Sequence, residues 1–141
     1  MENKFKKILQ IKEKEVDIAR INLEKANQDL NKTQLELTLL QEKANEVNLP
    51  MSGNVGMIQY TKLLKDSFRN ELLKLRHNIG FFESEVHKAR TNLNAVQMEF
   101  EKFQHLYQIE VKKRLKRLSE QEAKELDEIG NQLFFTQRNK H

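Results

Sequence analysis

Apolar residues recur in alternating steps of four and three along most of this chain, and a single break interrupts them. Before the break the positions are Phe5, Leu9, Lys12, Val16, Ala19, Leu23, Ala26, Leu30, Thr33, Leu37, Leu40, Ala44 and Val47. Only Lys12 and Thr33 are not apolar. After it they are Phe68, Leu72, Leu75, Ile79, Phe82, Val86, Ala89, Leu93, Val96, Phe100, Phe103 and Tyr107, all apolar or aromatic. A 3–4 alternation sustained over several heptads is the pattern of a coiled-coil seam. A strand needs period two, which is absent. The break is Leu49-Pro50-Met51-Ser52-Gly53-Asn54-Val55-Gly56, whose proline and glycines do not continue a helix.

The fold class expected is therefore all-α: two long helices forming one antiparallel coiled-coil hairpin. The spacing predicts a helix over 3–48, a turn over 49–56, a second helix over 56–136 and a frayed end over 137–141. At 1.5 Å per residue the helices are roughly 68 Å and roughly 120 Å long. A short connection makes them antiparallel neighbours. Ala19, Ala26 and Ala44 allow close approach, and Phe68, Phe82, Phe100 and Phe103 are suited to fill the opposite layers. Composition agrees. With 4 Gly, 1 Pro and no Trp, the chain lacks the turn formers of a β-sandwich or barrel. Its 38% of hydrophobic residues, periodically placed, are too many for simple disorder. Gly80 and Gly130 each cost a helix about 1 kcal/mol against alanine, weakening it without ending it.

Pairing outward from the turn puts Val47 beside about Met57 and Phe5 opposite about Glu99. The second helix then continues with nothing from its own chain beside it. That overhang carries Leu106, Val111, Leu115, Leu118, Leu126, Ile129, Leu133, Phe134 and Phe135. Successive steps of four at 103, 107, 111 and 115 locally unwind a left-handed supercoil. An unpaired apolar stripe on a helix is a docking surface; the alternatives are self-association and fraying. A second set of apolar residues lies off the seam: Ile11, Ile18 and Leu39, then Ile21 and Leu35, with Leu64, Leu73 and Phe81 on the second helix. A two-stranded seam does not bury these. They form either a further contact stripe or scattered surface residues.

Catalytic chemistry is not expected. The chain has no Cys, which removes thiolate nucleophiles, disulfides and cysteine metal sites. His77, His87, His105 and His141 are never three or four residues apart, so none forms a helical metal pair. The carboxylates alternate with lysines, as in Glu13-Lys14-Glu15, and form a solvated face. Gly53-Asn54-Val55-Gly56 lacks the Lys-Ser/Thr that completes a phosphate loop. No catalytic residue, metal ligand or cofactor site is assigned. Neither a signal-peptide core nor an apolar run of membrane-spanning length stands out, so a soluble cytoplasmic protein is expected.

Charge is concentrated at one end. Most of the net +4 lies in 111–141, where Lys112-Lys113-Arg114-Leu115-Lys116-Arg117 makes a basic patch. It suits an acidic protein surface or phosphates. Nucleic acid is the less favoured of the two, because no aromatic stacking platform accompanies the patch. From Ser119 to Ile129 the sign swings to acidic, with Leu126 and Ile129 on one face.

The opening Phe5-Lys6-Lys7-Ile8-Leu9, then Lys12-Glu13-Lys14-Glu15-Val16-Asp17-Ile18-Ala19, resembles the start of the flagellar FliJ proteins. Met57-Ile58-Gln59-Tyr60 with Leu63-Leu64 is similar to that family's second-helix start. Val86, Ala89-Arg90, Leu93 and Ala95, then Leu115, Leu118 and Glu125-Leu126-Asp127-Glu128-Ile129, resemble its C-terminal half. The resemblance implies a non-enzymatic part of the flagellar type III export apparatus, built like the coiled-coil stalk of rotary ATPases. It implies binding to the hexameric export ATPase and to the cytoplasmic domain of the export gate, and escort of export chaperones. Association with the inner membrane would be peripheral, at its cytoplasmic face and through these partners only. On this basis the ATPase-facing residues are Lys112, Lys113, Arg114, Lys116, Arg117, Leu126 and Ile129. The gate-facing positions fall near Glu36, Leu40, Lys43 and Val47, and near Leu63, Ser67, Asn70 and Lys74; Leu40, Val47 and Leu63 keep apolar character. The other readings are an injectisome stalk of the sister group, a basic coiled coil binding nucleic acid, and an intermolecular coiled-coil scaffold.

Overall fold

The computed structural model describes residues 3–47 and 53–139. Among them the chain forms two α-helices and no strand: α1 (Lys6–Asn45) and α2 (Val55–Asn139). The two helices pack against each other as an all-α hairpin. Their contacts group into two compact units, one made of Met1–Lys14 with Gln97–His141 and the other of Glu15–Val96.

The helix ends are set by local hydrogen bonding more than by periodicity. α1 begins at Lys6 rather than at 3, because Asn3 turns the chain first. Its side-chain Oδ1 accepts from the Phe5 N–H at 2.9 Å, and its carbonyl accepts from Lys6 N–H at 3.0 Å. α1 ends at Asn45 rather than at 48. The Glu46 N–H is shared between the carbonyls of Glu42 and Lys43, and Val47 N–H reaches only Ala44 O, so the last turn tightens and stops. Asn54 caps α2: its Oδ1 accepts from Met57 N–H at 2.8 Å while its carbonyl takes Ile58 N–H at 3.3 Å. An asparagine in that position supplies an acceptor for an N–H the helix leaves unpaired. At the other end α2 runs on to Asn139, past the expected end at 136. Of the turn expected over 49–56, residues 49–52 lie outside the described residues, while Val55 and Gly56 already belong to α2.

Every seam position predicted on both helices is buried or half-buried. The two polar exceptions are explained by their partners. Thr33 is buried and donates its hydroxyl to Asp29 O at 2.9 Å, one turn back on its own helix. Lys12 keeps its stem on the seam and sends its Nζ to Glu99 Oε2 at 3.0 Å.

In the unit containing both chain ends, Phe5 packs on Phe103 with ring centroids 6.4 Å apart at 47°. Asn3 Nδ2 donates to Tyr107 O at 3.1 Å. The Lys12 and Lys102 ammonium groups stand 5.7 Å and 5.9 Å from the Phe103 ring centroid. Rising numbers on α1 thus meet falling numbers on α2, as an antiparallel pair requires. The register differs from the expected one by about a turn: Phe5 meets Phe103, and it is Lys12 that meets Glu99. Matching of seam layers, not the shortest possible turn, sets the pairing.

In the other unit Val16, Ala19, Thr33 and Val86 are buried, Ala19 being only 2% exposed. The small alanine is the best-covered residue, in keeping with close approach there. Ala44 behaves differently. Together with Val47 it lines an open groove against Lys65, Phe68, Leu72 and Arg76, so Phe68 does not fill that layer. Val47 accordingly sits near Lys65 and Phe68, not beside Met57. The first turns of α2 extend past the end of α1, and Val55, Met57, Tyr60 and Leu63 are exposed.

Candidate partner-binding surfaces

The longest uncovered surface lies on the C-terminal part of α2. From Leu115 to Arg138 every residue is exposed. Leu115, Leu118, Leu126, Ile129 and Leu133 fall on one side of the helix at 100° per residue, continuing the seam beyond Tyr107. Glu122, Glu125, Leu126 and Ile129 line one shallow groove on that side. Phe134 and Phe135 are equally exposed but leave the stripe; Phe135 lines a separate hollow with Asn131, Gln132 and Thr136.

The basic run precedes this stripe. Lys112, Lys113, Lys116 and Arg117 are exposed and Arg114 is half-buried. Leu126 lies nine residues after Arg117, about 14 Å along the axis. The helical period also turns Lys113 and Arg117 to the side away from Leu126 and Ile129. Of the ATPase-facing residues named from the sequence, Lys112 therefore shares the side of Leu126, while Lys113 and Arg117 make a separate cationic surface.

The gate-facing residues do not converge. Leu40 and Val47 are half-buried seam residues, and Val47 opens only onto the groove beside Phe68. Leu63 is 69% exposed and lines a shallow groove with Gln59, Lys62 and Asp66 of its own helix. The polar positions Glu36, Lys43, Ser67, Asn70 and Lys74 are all exposed. Val55, Met57 and Tyr60 at the start of α2 are exposed, as Leu63 is, and were not among the site residues named from the sequence. Their signal was present in the sequence, since none of the four belongs to the seam register.

The off-seam set is exposed as expected, at Ile11, Ile18, Ile21, Leu35, Leu39, Leu73 and Phe81, but Leu64 is half-buried. Phe81 stacks edge-on against Phe82, centroids 5.5 Å apart, so part of its face is already used. Ion pairs on the outer faces are short-range: Arg20 with Asp17 at 4.0 Å and Lys88 with Glu85 at 3.5 Å, three residues apart in each case. Such pairs contribute about 0–1 kcal/mol. The exception is Glu99, whose carboxyl is held below its usual value of 4.5 by the hydrogen bond and charge of Lys12.

No group of acidic or histidine side chains among the described residues is arranged to hold a metal ion. No described helix is long and apolar enough to cross a membrane.

A family model described as the flagellar FliJ protein matches residues 1–139. The chain belongs to the FliJ family. FliJ proteins are non-catalytic components of the flagellar export apparatus. No curated protein and no solved structure shows a match to this chain. The uncovered stretch of α2 thus sits in a FliJ-family hairpin whose α1 starts too late in the pairing to cover it.

Proposed function

We propose that this FliJ-family chain acts as a stalk-like coupler in flagellar export, binding the hexameric export ATPase through the C-terminal part of α2. The observation that carries this reading is the apolar stripe Leu115–Leu133, left without a helix from its own chain while the seam before Tyr107 is covered. Leu126 and Ile129 supply apolar contact there. Lys112, Lys113, Arg114, Lys116 and Arg117 supply charge that steers the helix toward an acidic partner surface. The export gate's cytoplasmic domain is bound near the other end of α2. Leu63 is the exposed contact, Leu40 and Val47 contribute only from half-buried seam positions apart from it, and the same exposed flank carries escorted chaperones. The chain reaches the cytoplasmic face of the inner membrane through these partners alone.

The test is binding to the purified hexameric ATPase by the full chain, by a version ending at Tyr107, and by a Lys112→Glu, Lys113→Glu, Lys116→Glu, Arg117→Glu variant. Arg114 is left intact because it is half-buried. Thermal melts followed by circular dichroism check that each version keeps the hairpin; the Tyr107 cut retains the Phe5–Phe103 and Asn3–Tyr107 contacts. Loss of binding in the shortened chain is expected, with a weaker and more salt-sensitive loss in the charge variant. Undiminished binding by the shortened chain would remove the overhang from the ATPase interface.

A further inference from the structure

Near the break the seam of the hairpin is incomplete. Ala44 and Val47 of α1 and Phe68 and Leu72 of α2 line an open groove of about 410 Å³. All four are only half-buried, whereas the seam residues Val16 and Val86 of the same compact unit are buried. The small alanine leaves space that no facing side chain takes up. Lys65, Arg69 and Arg76 also line the groove, and no carboxylate does. We infer that this groove is a docking site for an acidic amphipathic helix of a partner protein. Apolar side chains of that helix enter the groove and its carboxylates meet the three cations.

The helical period puts the cations where this contact needs them. At 100° per residue Lys65, Arg69 and Arg76 fall within about 40° of one another, with Leu72 on the same side of α2. They span about 16 Å along the axis, three turns. Among the described residues none of the three has an ion-pair partner. Asp66, the acid next to Lys65 in sequence, lines the separate groove at Leu63. The cations therefore repel one another beside an apolar floor, with no opposing charge in the groove. A set of carboxylates relieves that repulsion, and two of the three cations are arginines, which hold carboxylates in paired hydrogen bonds. Charge thus selects the occupant. The segment 48–52, which follows Val47, contains no acidic residue and does not supply the complement. A helix laid along α2 repeats at the same rise, so carboxylates four and seven residues apart match Lys65, Arg69 and Arg76. Apolar residues in the longer gap then fall over Leu72. The inference goes beyond the export contacts proposed above, because the cations lie at least about 120° round α2 from Leu63.

The test uses the full chain and synthetic alanine-rich helical peptides of about 20 residues. Each peptide carries three glutamates spaced four and seven residues apart, in one order or the other, with two leucines in the longer gap. Binding is followed by fluorescence anisotropy of the labelled peptide. One of the two orders should bind, and glutamine in place of the glutamates should weaken it at least about tenfold. A Lys65→Glu, Arg69→Glu, Arg76→Glu variant should lose the glutamate peptide by a similar factor and gain the corresponding lysine peptide. Ala44→Leu, which fills the groove and leaves the cations in place, should also weaken binding. Reversal of Lys112, Lys113, Lys116 and Arg117 to Glu should leave it unchanged. Circular dichroism melts check that each variant keeps the hairpin. Failure of both peptides to bind, or binding by the charge-reversed groove variant equal to that of the unmodified chain, would overturn the proposal. So would binding that is lost on reversing the 112–117 run, or that is indifferent to Ala44→Leu.

Discussion

The two stretches of α2 on either side of Tyr107 are both helical and both carry an apolar stripe, yet they are opposite in environment. Before Tyr107 the seam positions are buried or half-buried; from Leu115 onward the same kind of apolar stripe is exposed throughout. What separates them is the point where α1 begins. Asn3 caps the start of α1 and its amide donates to Tyr107 O, and half-burial on α2 continues only as far as Arg114. A heptad pattern states that a helix has a side to bury, and the partner's length decides whether it is buried within the chain. Apolar residues before Tyr107 therefore hold the hairpin together, and those after Leu115 are available to other molecules.

The most direct way to break this comparison is to place the same charge in both stretches. Val16→Asp puts a carboxylate at a seam position that is 5% exposed. It should destabilise the hairpin by about 3 kcal/mol or more. Leu126→Asp, at a position 68% exposed, should leave the thermal midpoint within the range of ordinary surface substitutions, about 0.5 kcal/mol. Denaturant unfolding at a protein concentration low enough to keep the chain monomeric measures both. Equal destabilisation by the two variants would mean the stripe after Leu115 is part of the hairpin's own core.

A gentler version uses the two mid-helix glycines. A Cβ added at Gly80 or at Gly130 meets nothing within 4 Å, and neither has a positive φ. Alanine therefore fits at both without strain, and each substitution gains about 1 kcal/mol of helix propensity. At Gly80 that gain is coupled to the packed seam and should raise the unfolding midpoint. At Gly130 the helix has no neighbour from its own chain, so the gain should appear as increased helicity at that end, with a smaller change in the cooperative midpoint. Site-resolved amide exchange around the two positions distinguishes these responses. An equal rise in midpoint from both would show that the C-terminal stretch unfolds together with the hairpin.

The two helices and their hydrophobic side were legible because both rest on a period of 3.5 residues, and the antiparallel pairing because the break between them is short. The exceptions at Lys12 and Thr33 were visible as exceptions, but their resolution was not. Lys12 needs Glu99 and Phe103, which the sequence brings near only once the register is known. Register was the least legible quantity. Counting outward from the break assumed that the two helices meet right at the turn, whereas α1 stops at Asn45 and the first turns of α2 run on alone. For the same reason Val55, Met57 and Tyr60, exposed near the assigned Leu63, were not assigned as a surface. The exposed C-terminal stripe was legible because it needed only the conclusion that α2 is longer, whatever the register. The turning of Lys113 and Arg117 away from Leu126 and Ile129 was computable from the period alone.

The smallest expected effect probes the register itself. Lys12 and Glu99 are brought together by it, and Glu99 titrates below 4.5 because the Lys12 ammonium donates to its carboxylate and favours the charged form. A carboxyl whose folded value is depressed contributes stability that is fully present above its unfolded value. That contribution is lost as pH falls through the depressed folded value. The hairpin should therefore lose this increment of stability in the acidic window beginning near 4.5 and extending below it. Lys12→Met keeps an apolar stem on the seam and removes the cation. In that variant the Glu99 carboxyl, followed by carbon NMR, should return toward its ordinary value, and the acid loss assigned to it should vanish. Substituting Lys102 instead should move Glu99 less, since Lys12 supplies both the hydrogen bond and the larger charge effect. A titration of Glu99 that is indifferent to Lys12 would mean that the pairing of Phe5 with Phe103, and with it the point where α1 stops covering α2, lies in a different register.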